Sequence, residues 1–287
     1  MKKSTFFKLF ATGLTISASV AASLLVFLPK YSQKLVAQTS SVHLTMGNPS
    51  GAVTSTSSST NYLMVKGQYA LSYNNSTRIP NWVSWQLNSS WLGSTARQDD
   101  FRADTTLPAG WYQVQGTDYS GSGFDRGHMA PSADRTNSVA NNSATFLMTN
   151  MVPQAPDNNQ GIWANLENYS RDLVNQGKEL YIISGYYGYG GTGSNGSATT
   201  VAGGKVLVPG RLWKVIVVNN PGTTASGVST GTRVIAVDIP NVQGIRTADW
   251  RNYRVSVDSI EANTGYNLLS NVPASVQTTI ESRVDNL

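Results

Sequence analysis

The clearest repeat of apolar positions lies in residues 158–176. Apolar side chains recur there at intervals of three and four, which places on one helix face Ile162, Leu166, Tyr169 and Leu173. Gly177 follows, and glycine is common just past the end of a helix. The pattern predicts an amphipathic helix over residues 158–176.

Shorter β-rich runs lie on both sides of this helix. Residues 69–73 and 82–87 surround the turn-like sequence 74–77, which predicts an opening β-hairpin. Further strands are predicted at 179–184, 205–208, 212–218 and 233–239, and a closing helix at 274–285. This order favours an α+β domain with a central antiparallel sheet flanked by helices.

The first 37 residues have the pattern of a targeting segment. Three lysines within the first eight residues precede a mostly apolar run of 20 residues, 9–28. A basic start followed by an apolar stretch is typical of a secretory signal peptide, and small residues suitable for cleavage precede Gln38. An uncleaved membrane anchor stays open, because about 20 apolar residues also span a bilayer. We expect cleavage and a secreted or periplasmic protein.

The next segment, residues 38–60, is dominated by Ser, Thr and Gly with few apolar positions. Such a composition buries too little surface to order itself, so a disordered leader is predicted. Neither an internal repeat nor a linker-like stretch follows. Residues 61–287 are therefore expected to form a single catalytic domain.

The overall charge is a poor guide to partners. The formal net charge is +5 and the isoelectric point is about 9.3, which invites a nucleic-acid-binding interpretation. Five of the 21 Lys and Arg residues lie before Gln38, however, leaving 16 basic residues against 16 acidic ones. Any affinity for a polyanion must come from a local cluster of arginines.

Few side chains are available for nucleophilic or metal chemistry. The chain has no cysteine, which excludes disulfides, thiol nucleophiles and cysteine-ligated metals. Its two histidines are His43 and His128, and His43 lies in the stretch expected to be unstructured. Zinc sites built on two or more histidines are therefore not expected.

Two segments concentrate the remaining chemistry. Residues 120–135 contain three Gly, two Asp, two Arg and His128, although a surface loop with solvated charges would have the same composition. The predicted helix then presents, at four-residue intervals, Asn159, Trp163, Glu167 and Arg171. An exposed face with an ordinary ion pair, and an N-cap role for Asn159, would give the same spacing.

Phosphodiester hydrolysis would use all of these groups. It needs a base for water, a cation near the phosphate oxygens and donors for the developing charge. A histidine, an asparagine-bound metal and arginines supply these without a cysteine or a second histidine. The two segments together indicate phosphodiester chemistry.

The sequence Asp-Arg-Gly-His at 125–128 resembles the signature of the DNA/RNA non-specific endonuclease family. Residues 97–102 (RQDDFR), 149–154 (TNMVPQ) and 158–160 (NNQ) are similar to family motifs in the same order. The resemblance runs from about Tyr62 to the end of the chain and is strongest to secreted cyanobacterial members. It implies a ββα-metal nuclease fold.

The resemblance also implies roles for individual residues. His128 corresponds to the general base and Asn159 to the direct ligand of a hydrated Mg²⁺ or Mn²⁺, with Glu167 holding metal-bound waters. Arg97 and Arg171 correspond to residues that contact the scissile phosphate.

Arg126 is expected to contact substrate as well, and with Asp125 to brace the loop and the histidine. The expected substrates are DNA and RNA, the products carry 5′-phosphates, and a dedicated protein inhibitor is a further expected partner.

Two other functions stay open at this point. An exported binding or adhesion domain would keep this fold without catalysis, and a narrower phosphodiesterase would use the same residues on small or structured substrates. For a nuclease with His128 as base, an imidazole pKa near ~6.5 predicts activity that rises from mildly acid to neutral pH.

Overall fold

The computed structural model describes residues 41–287, and these form one compact unit, Ser41–Leu287. The predicted signal peptide, residues 1–37, lies outside the described residues. In the described part of the chain, none of the helices is both long enough and apolar enough to cross a membrane. The choice between a cleaved signal and an anchor stays a prediction.

Strands of very different length alternate with a few helices along residues 41–287. The strands are β1 (Tyr62–Val65), β2 (Ala70–Asn74), β3 (Ile79–Leu87), β4 (Asp125–His128), β5 (Met151–Gln154), β6 (Glu179–Tyr189), β7 (Gly191–Gly193), β8 (Gly196–Ala198), β9 (Thr200–Val201), β10 (Val206–Leu207), β11 (Pro209–Asn219) and β12 (Arg233–Pro240). The α-helices are α1 (Val139–Ala144), α2 (Ala164–Asn175), α3 (Val257–Thr264) and α4 (Ala274–Glu281). A π-helical turn, Asn158–Trp163, leads directly into α2.

Six strands form the central sheet in the order β1-β2-β3-β6-β11-β12, with every neighbouring pair antiparallel. The predicted hairpin is β2–β3, and three predicted strands correspond to β6, β11 and β12. The strand predicted at 205–208 shortens to the two residues of β10. The α+β prediction with a central antiparallel sheet is confirmed.

The two faces of this sheet bury separate hydrophobic cores. Successive strand residues point to opposite faces. Trp85 of β3 therefore joins the core beneath α2, whereas Trp82 of the same strand joins the core beneath α3 and α4. The long insertion between β3 and β6 covers the first face with β4, β5 and α2, and the carboxyl-terminal helices cover the second.

Residues 41–60 pack against the sheet, so the prediction of a disordered leader over 38–60 is wrong for the part that the structure describes. Leu44 and Met46 are buried in the core beneath α3 and α4. Val53 forms a β-bridge with Tyr62. Composition misled here because a few apolar residues suffice to fix a polar segment when a sheet supplies the rest of the core.

His43 is held firmly by that packing and is only 2% exposed. Its Nδ1 accepts a hydrogen bond from the backbone N–H of Gln86 at 3.2 Å, and its Nε2 donates to the carbonyl of Gly67 at 3.0 Å. Burial lowers the pKa of His43 to about 4, against the opposing effect of the hydrogen bond to Gly67. The ring is neutral and both of its nitrogens have partners.

The helix predicted over 158–176 is present, but its first turn is π-helical. Gly161 lies in that turn, where a Cβ would overlap the backbone of Arg246. Trp163 is buried, so the four-residue stripe is not a solvent-exposed face. The helices α1 and α3 were not predicted, and the closing helix ends at Glu281 rather than at 285.

Candidate active site

Two short strands and the helix that follows them carry the predicted site residues. The Asp-Arg-Gly-His sequence is β4, which pairs antiparallel with β5 so that His128 lies opposite Met151. At Gly127 a Cβ would overlap the side chain of the buried Gln154 on β5. Glycine is therefore required for the two strands to approach, and the loop expected on composition alone is a strand.

The backbone after His128 is fixed by the fully buried side chain of Asn150. Its Oδ1 accepts from the N–H of Ala130 at 3.0 Å, and its Nδ2 donates to the carbonyls of Ala130 and Thr145 at 2.8 and 2.9 Å. Because both ends of the amide are engaged, Asn150 holds the backbone two residues after His128 in place.

His128 is 8% exposed and lies between two aromatic rings. The centroids of Phe101 and Phe146 lie 5.5 and 4.8 Å from that of the imidazole, both in edge arrangements. In residues 41–287, nothing forms a hydrogen bond with its buried Nε2. Burial lowers the pKa of His128 to about 3, and the charges of Arg97 and Arg126 add to the effect. The inflection in activity expected near ~6.5 therefore moves to a lower pH.

Asn159 lies in the π-helical turn with its amide oriented by Asp125. The Nδ2 of Asn159 donates to Oδ2 of Asp125 at 2.8 Å, and the Nε2 of Gln160 donates to the same oxygen at 2.7 Å. The carboxylate thus fixes which way the amide points, leaving Oδ1 of Asn159 as the atom that a cation would contact. Asp125 braces the predicted ligand rather than the histidine.

Glu167 has a buried cationic partner that sequence reasoning missed. Lys214 of β11 is 1% exposed, and its Nζ lies 3.6 Å from Oε1 of Glu167. The same Nζ lies 4.2 Å from the ring centroid of Trp163 and 5.7 Å from that of Trp85. Burial raises the pKa of Glu167, and Lys214 opposes that rise. The signal available in the sequence was a lone lysine within the apolar run 212–218.

Arg171 is the predicted site residue that the structure does not bring to the cleft. Its guanidinium donates to Oδ1 of Asp134 at 2.8 Å and to Oδ1 of Asn168 at 2.6 Å. Asp134 is buried and also accepts from the indole N–H of Trp85 at 2.9 Å. A buried carboxylate requires a counter-charge, and Arg171 supplies it through this ion pair.

Arg97 and Arg126 lie at the mouth of the cleft. The guanidinium of Arg97 lies 4.8 Å from the ring centroid of Phe146, and it contacts Asp99 through Nε at 2.6 Å and Ser132 through NH1 at 2.9 Å. The guanidinium of the exposed Arg126 lies 4.0 Å from the ring centroid of Phe101. Both cations therefore face the space in front of the histidine.

These groups line one cleft with a volume of about 640 Å³. A cleft of this size accommodates a nucleotide-sized group. Six of the seven predicted site residues line it, and these are Arg97, Asp125, Arg126, His128, Asn159 and Glu167. The arrangement combines a neutral base, oxygen donors and two cations, which suits an anionic substrate that reacts with water.

The donors in the cleft fit a hard divalent cation. Oxygen atoms are available from the oriented amide of Asn159 and from the carboxylate of Glu167. Within the described residues, the cleft holds no group of three or more His, Asp or Glu donors close enough to share an ion. A cation that keeps most of its waters and takes one or two protein ligands matches this donor set.

The unit of β4, β5 and the following helix, placed against an antiparallel sheet, is the ββα-metal nuclease fold. A profile of the DNA/RNA non-specific endonucleases matches residues 46–275, so the chain belongs to that family, as its motifs predicted. It is therefore a nuclease, and metal dependence is typical of this family.

Relatives support the same conclusion. The chain is 59% identical over 247 residues to a protein named Nuclease from Nostoc sp., covering 86% of this chain and 87% of that protein. It is 30% identical over 203 residues to the mitochondrial Nuclease EXOG of Mus musculus, covering 69% of this chain and 54% of that protein. The chain thus spans about half the length of the mouse relative.

A solved structure shares the fold. A chain of the crystal structure described as the EndoG/EndoGI complex matches with a TM-score of 0.68 at 24% sequence identity, covering 84% of this chain and 96% of that chain. The similarity extends over most of the described residues and agrees with the ββα-metal assignment.

Proposed function

We propose that the chain hydrolyses phosphodiester bonds of both DNA and RNA, with His128 as general base. The observation that carries this proposal is the buried Nε2 of His128, which lacks a hydrogen-bond partner throughout residues 41–287 although the residue lines the cleft. A buried polar atom without a partner costs about 1–3 kcal/mol, unless substrate or water supplies one. The lowered pKa keeps the ring neutral, so one of its nitrogens is unprotonated, as a general base requires.

Asn159 would bind a divalent cation through Oδ1, and Glu167 would hold the waters around it. When bound, such a cation stabilises negative charge on the phosphate oxygens. Asp125 orients the amide of Asn159, and Lys214 lies 3.6 Å from Oε1 of Glu167, a residue that lines the cleft. We assign Mg²⁺ or Mn²⁺, because both accept oxygen donors and waters.

Arg97 and Arg126 would bind the phosphate. Each guanidinium has five N–H donors, and its contacts to protein atoms use only some of them. Stacking on Phe146 and Phe101 holds the two groups at the mouth of the cleft. Arg171 also keeps donors beyond its contacts with Asp134 and Asn168, and its contact with the phosphate stays a prediction.

Water as nucleophile explains why the sugar does not matter. A mechanism that uses the ribose 2′-hydroxyl is limited to RNA, whereas a water activated by His128 attacks either polymer. We propose products with 5′-phosphates, as the family motifs imply.

We also propose export directed by residues 1–37. Mass spectrometry of the protein in the medium should give an amino terminus near Gln38, whereas a full-length chain retained in membranes would contradict it.

A dedicated protein inhibitor is part of the proposal too, supported by the EndoG/EndoGI complex of the structural neighbour. Such an inhibitor should compete with DNA for the cleft, and inhibition insensitive to DNA concentration would exclude this mode.

The test is digestion of supercoiled plasmid and ribosomal RNA side by side with Mg²⁺, with Mn²⁺ and with EDTA. We expect cleavage of both polymers with either ion, none with EDTA, and 5′-phosphate ends. Asn159→Ala should lose activity, whereas the control Asn165→Ala, at an exposed position of α2, should keep it. Binding without cleavage would favour the non-catalytic domain, and cleavage of small substrates alone would favour the narrower phosphodiesterase.

A further inference from the structure

Three carboxylates meet on the side of the sheet opposite to the cleft. Asp258 and Glu261 come from α3, and Glu281 is the last residue of α4. One oxygen from each residue lies within 4.8 Å of the oxygens from the other two. Both helices pack on the core that contains Trp82, so this triad is separate from the nuclease cleft.

No positive charge balances the triad. Throughout residues 41–287, no Lys, Arg or His nitrogen lies within 4.0 Å of these three carboxylates. The nearby carboxyl-terminal Asp285 differs, because it pairs with Arg233 at 2.7 Å and Arg254 at 3.4 Å. Arginines therefore pair with the buried carboxylate of Asp285, whereas none of the described arginines pairs with the triad.

Glu281 is the member of the triad whose negative charge is least favourable, because it is buried. The residue is 6% exposed, and its Oε1 has no hydrogen-bond partner among the described residues. Glu261 differs, since its Oε1 accepts from the backbone N–H of Leu268 at 2.7 Å. A carboxylate in this position requires either a proton or a cation.

The spacing suits a cation with long oxygen bonds. Ca²⁺ binds oxygens at about 2.3–2.6 Å, so two of its ligands lie at most about 5 Å apart. The separations within the triad fall inside that limit. Mg²⁺ has bonds of about 2.0–2.1 Å, so two of its ligands lie at most about 4 Å apart, which is a tighter limit than the 4.8 Å of the triad.

We propose that Asp258, Glu261 and Glu281 bind a divalent cation, with Ca²⁺ preferred over Mg²⁺, and that the ion links α3 to α4. Asp258 is exposed, so waters would supply the remaining ligands on that side. The ion stabilises the carboxyl-terminal helices and takes no part in cleavage.

Thermal unfolding of the full chain tests the site. Asn159→Ala serves as background, so that the catalytic cation does not contribute. At pH 8, about 10 mM Ca²⁺ should raise the unfolding temperature by about 3–6 °C for a millimolar site in a domain of this size. Adding Glu281→Gln should abolish this response, whereas the control Asp172→Asn, an exposed carboxylate outside the triad, should keep it. An equal response with and without Glu281→Gln would overturn the proposal.

Equilibrium dialysis with radioactive Ca²⁺ gives a readout independent of folding stability. One ion should bind per Asn159→Ala chain, and none once Asp258→Asn is added. Glu281→Gln alone should keep plasmid cleavage with Mg²⁺. Absence of bound Ca²⁺ in the background protein at millimolar concentration would refute the site and leave the proposed nuclease function untouched.

Discussion

The two histidines of this chain are both buried, and both have pKa values lowered mainly by burial. His43 uses both ring nitrogens to join residues 41–60 to the sheet and to the loop at Gly67. His128 lies among aromatic rings with a buried Nε2 that none of the described residues contacts. Both residues are buried, and hydrogen-bond satisfaction is what separates them.

This difference has an energetic meaning. A satisfied buried group contributes to stability, whereas an unsatisfied one costs free energy unless water or a ligand supplies its partner. His43 is thus a structural residue, whereas the Nε2 of His128 lacks a partner among the described residues, as its proposed role as base requires. Substitutions of the two histidines and of the residues around them can test these two roles.

The largest expected effect is on activity. His128→Ala should reduce the rate of plasmid cleavage about 10²- to 10⁴-fold, the usual contribution of a general base. His43→Ala should cleave within about twofold of wild type but unfold more easily, by about 1–3 kcal/mol, because Gln86 N–H and Gly67 carbonyl lose their partner. Cleavage assays and urea titrations measure both. If His43→Ala lost activity while fully folded, the contrast would be wrong.

A substitution of Lys214 tests whether its ion pair with Glu167 is needed at the site. Lys214→Met leaves Glu167 without its ion-pair partner, and breaking one side of a buried pair costs about 3–5 kcal/mol. Urea unfolding should show this loss, and the concentration of Mn²⁺ needed for half-maximal cleavage should increase. Lys178→Met, a partly exposed lysine after α2, is the control. A stable Lys214→Met protein with normal metal dependence would remove Lys214 from the site.

The pH dependence of the free energy of unfolding should have the same sign for both histidines, because burial lowers the pKa of each. A histidine whose folded pKa lies below its unfolded pKa binds its proton on unfolding, so its stabilisation is complete above ~6.5 and is lost as the pH falls. The pKa of His43 is lowered from 6.5 to about 4. Protonating it therefore reduces the free energy of unfolding by on the order of 3 kcal/mol. His43→Gln should flatten the free energy of unfolding between pH 6.5 and 4. An unchanged slope would show that His43 is not titrating as described.

Asp125 gives the smallest predicted effect. Asp125→Asn should weaken apparent metal affinity about 10- to 100-fold, as is usual for residues that orient a ligand. The reason is that an amide at 125 no longer fixes the orientation of Asn159. Asp118→Asn, at a carboxylate outside the cleft, is the control for metal titrations of cleavage rate. Equal metal affinities in the two variants would mean that Asp125 only braces the loop.

Much of the catalytic half of the molecule could be predicted from sequence. Periodicity indicated the helix after residue 158, and the motif around His128 indicated the residues that the cleft brings together. Residues 41–60 were missed because composition does not reveal what a neighbouring sheet can cover. Lys214 and the ion pair of Arg171 were missed because each depends on a partner distant in the chain, and the π-helical turn has no local signal of its own.

Chemical rescue tests the assignment of His128 most directly. The imidazole removed in His128→Ala leaves space between Phe101 and Phe146, so added imidazole can occupy it and accept the proton. We expect plasmid cleavage by this variant to increase with imidazole concentration, while Asn159→Ala shows no such increase. A His128→Ala protein that cleaves within tenfold of the wild-type rate without imidazole would contradict the role of His128 as base.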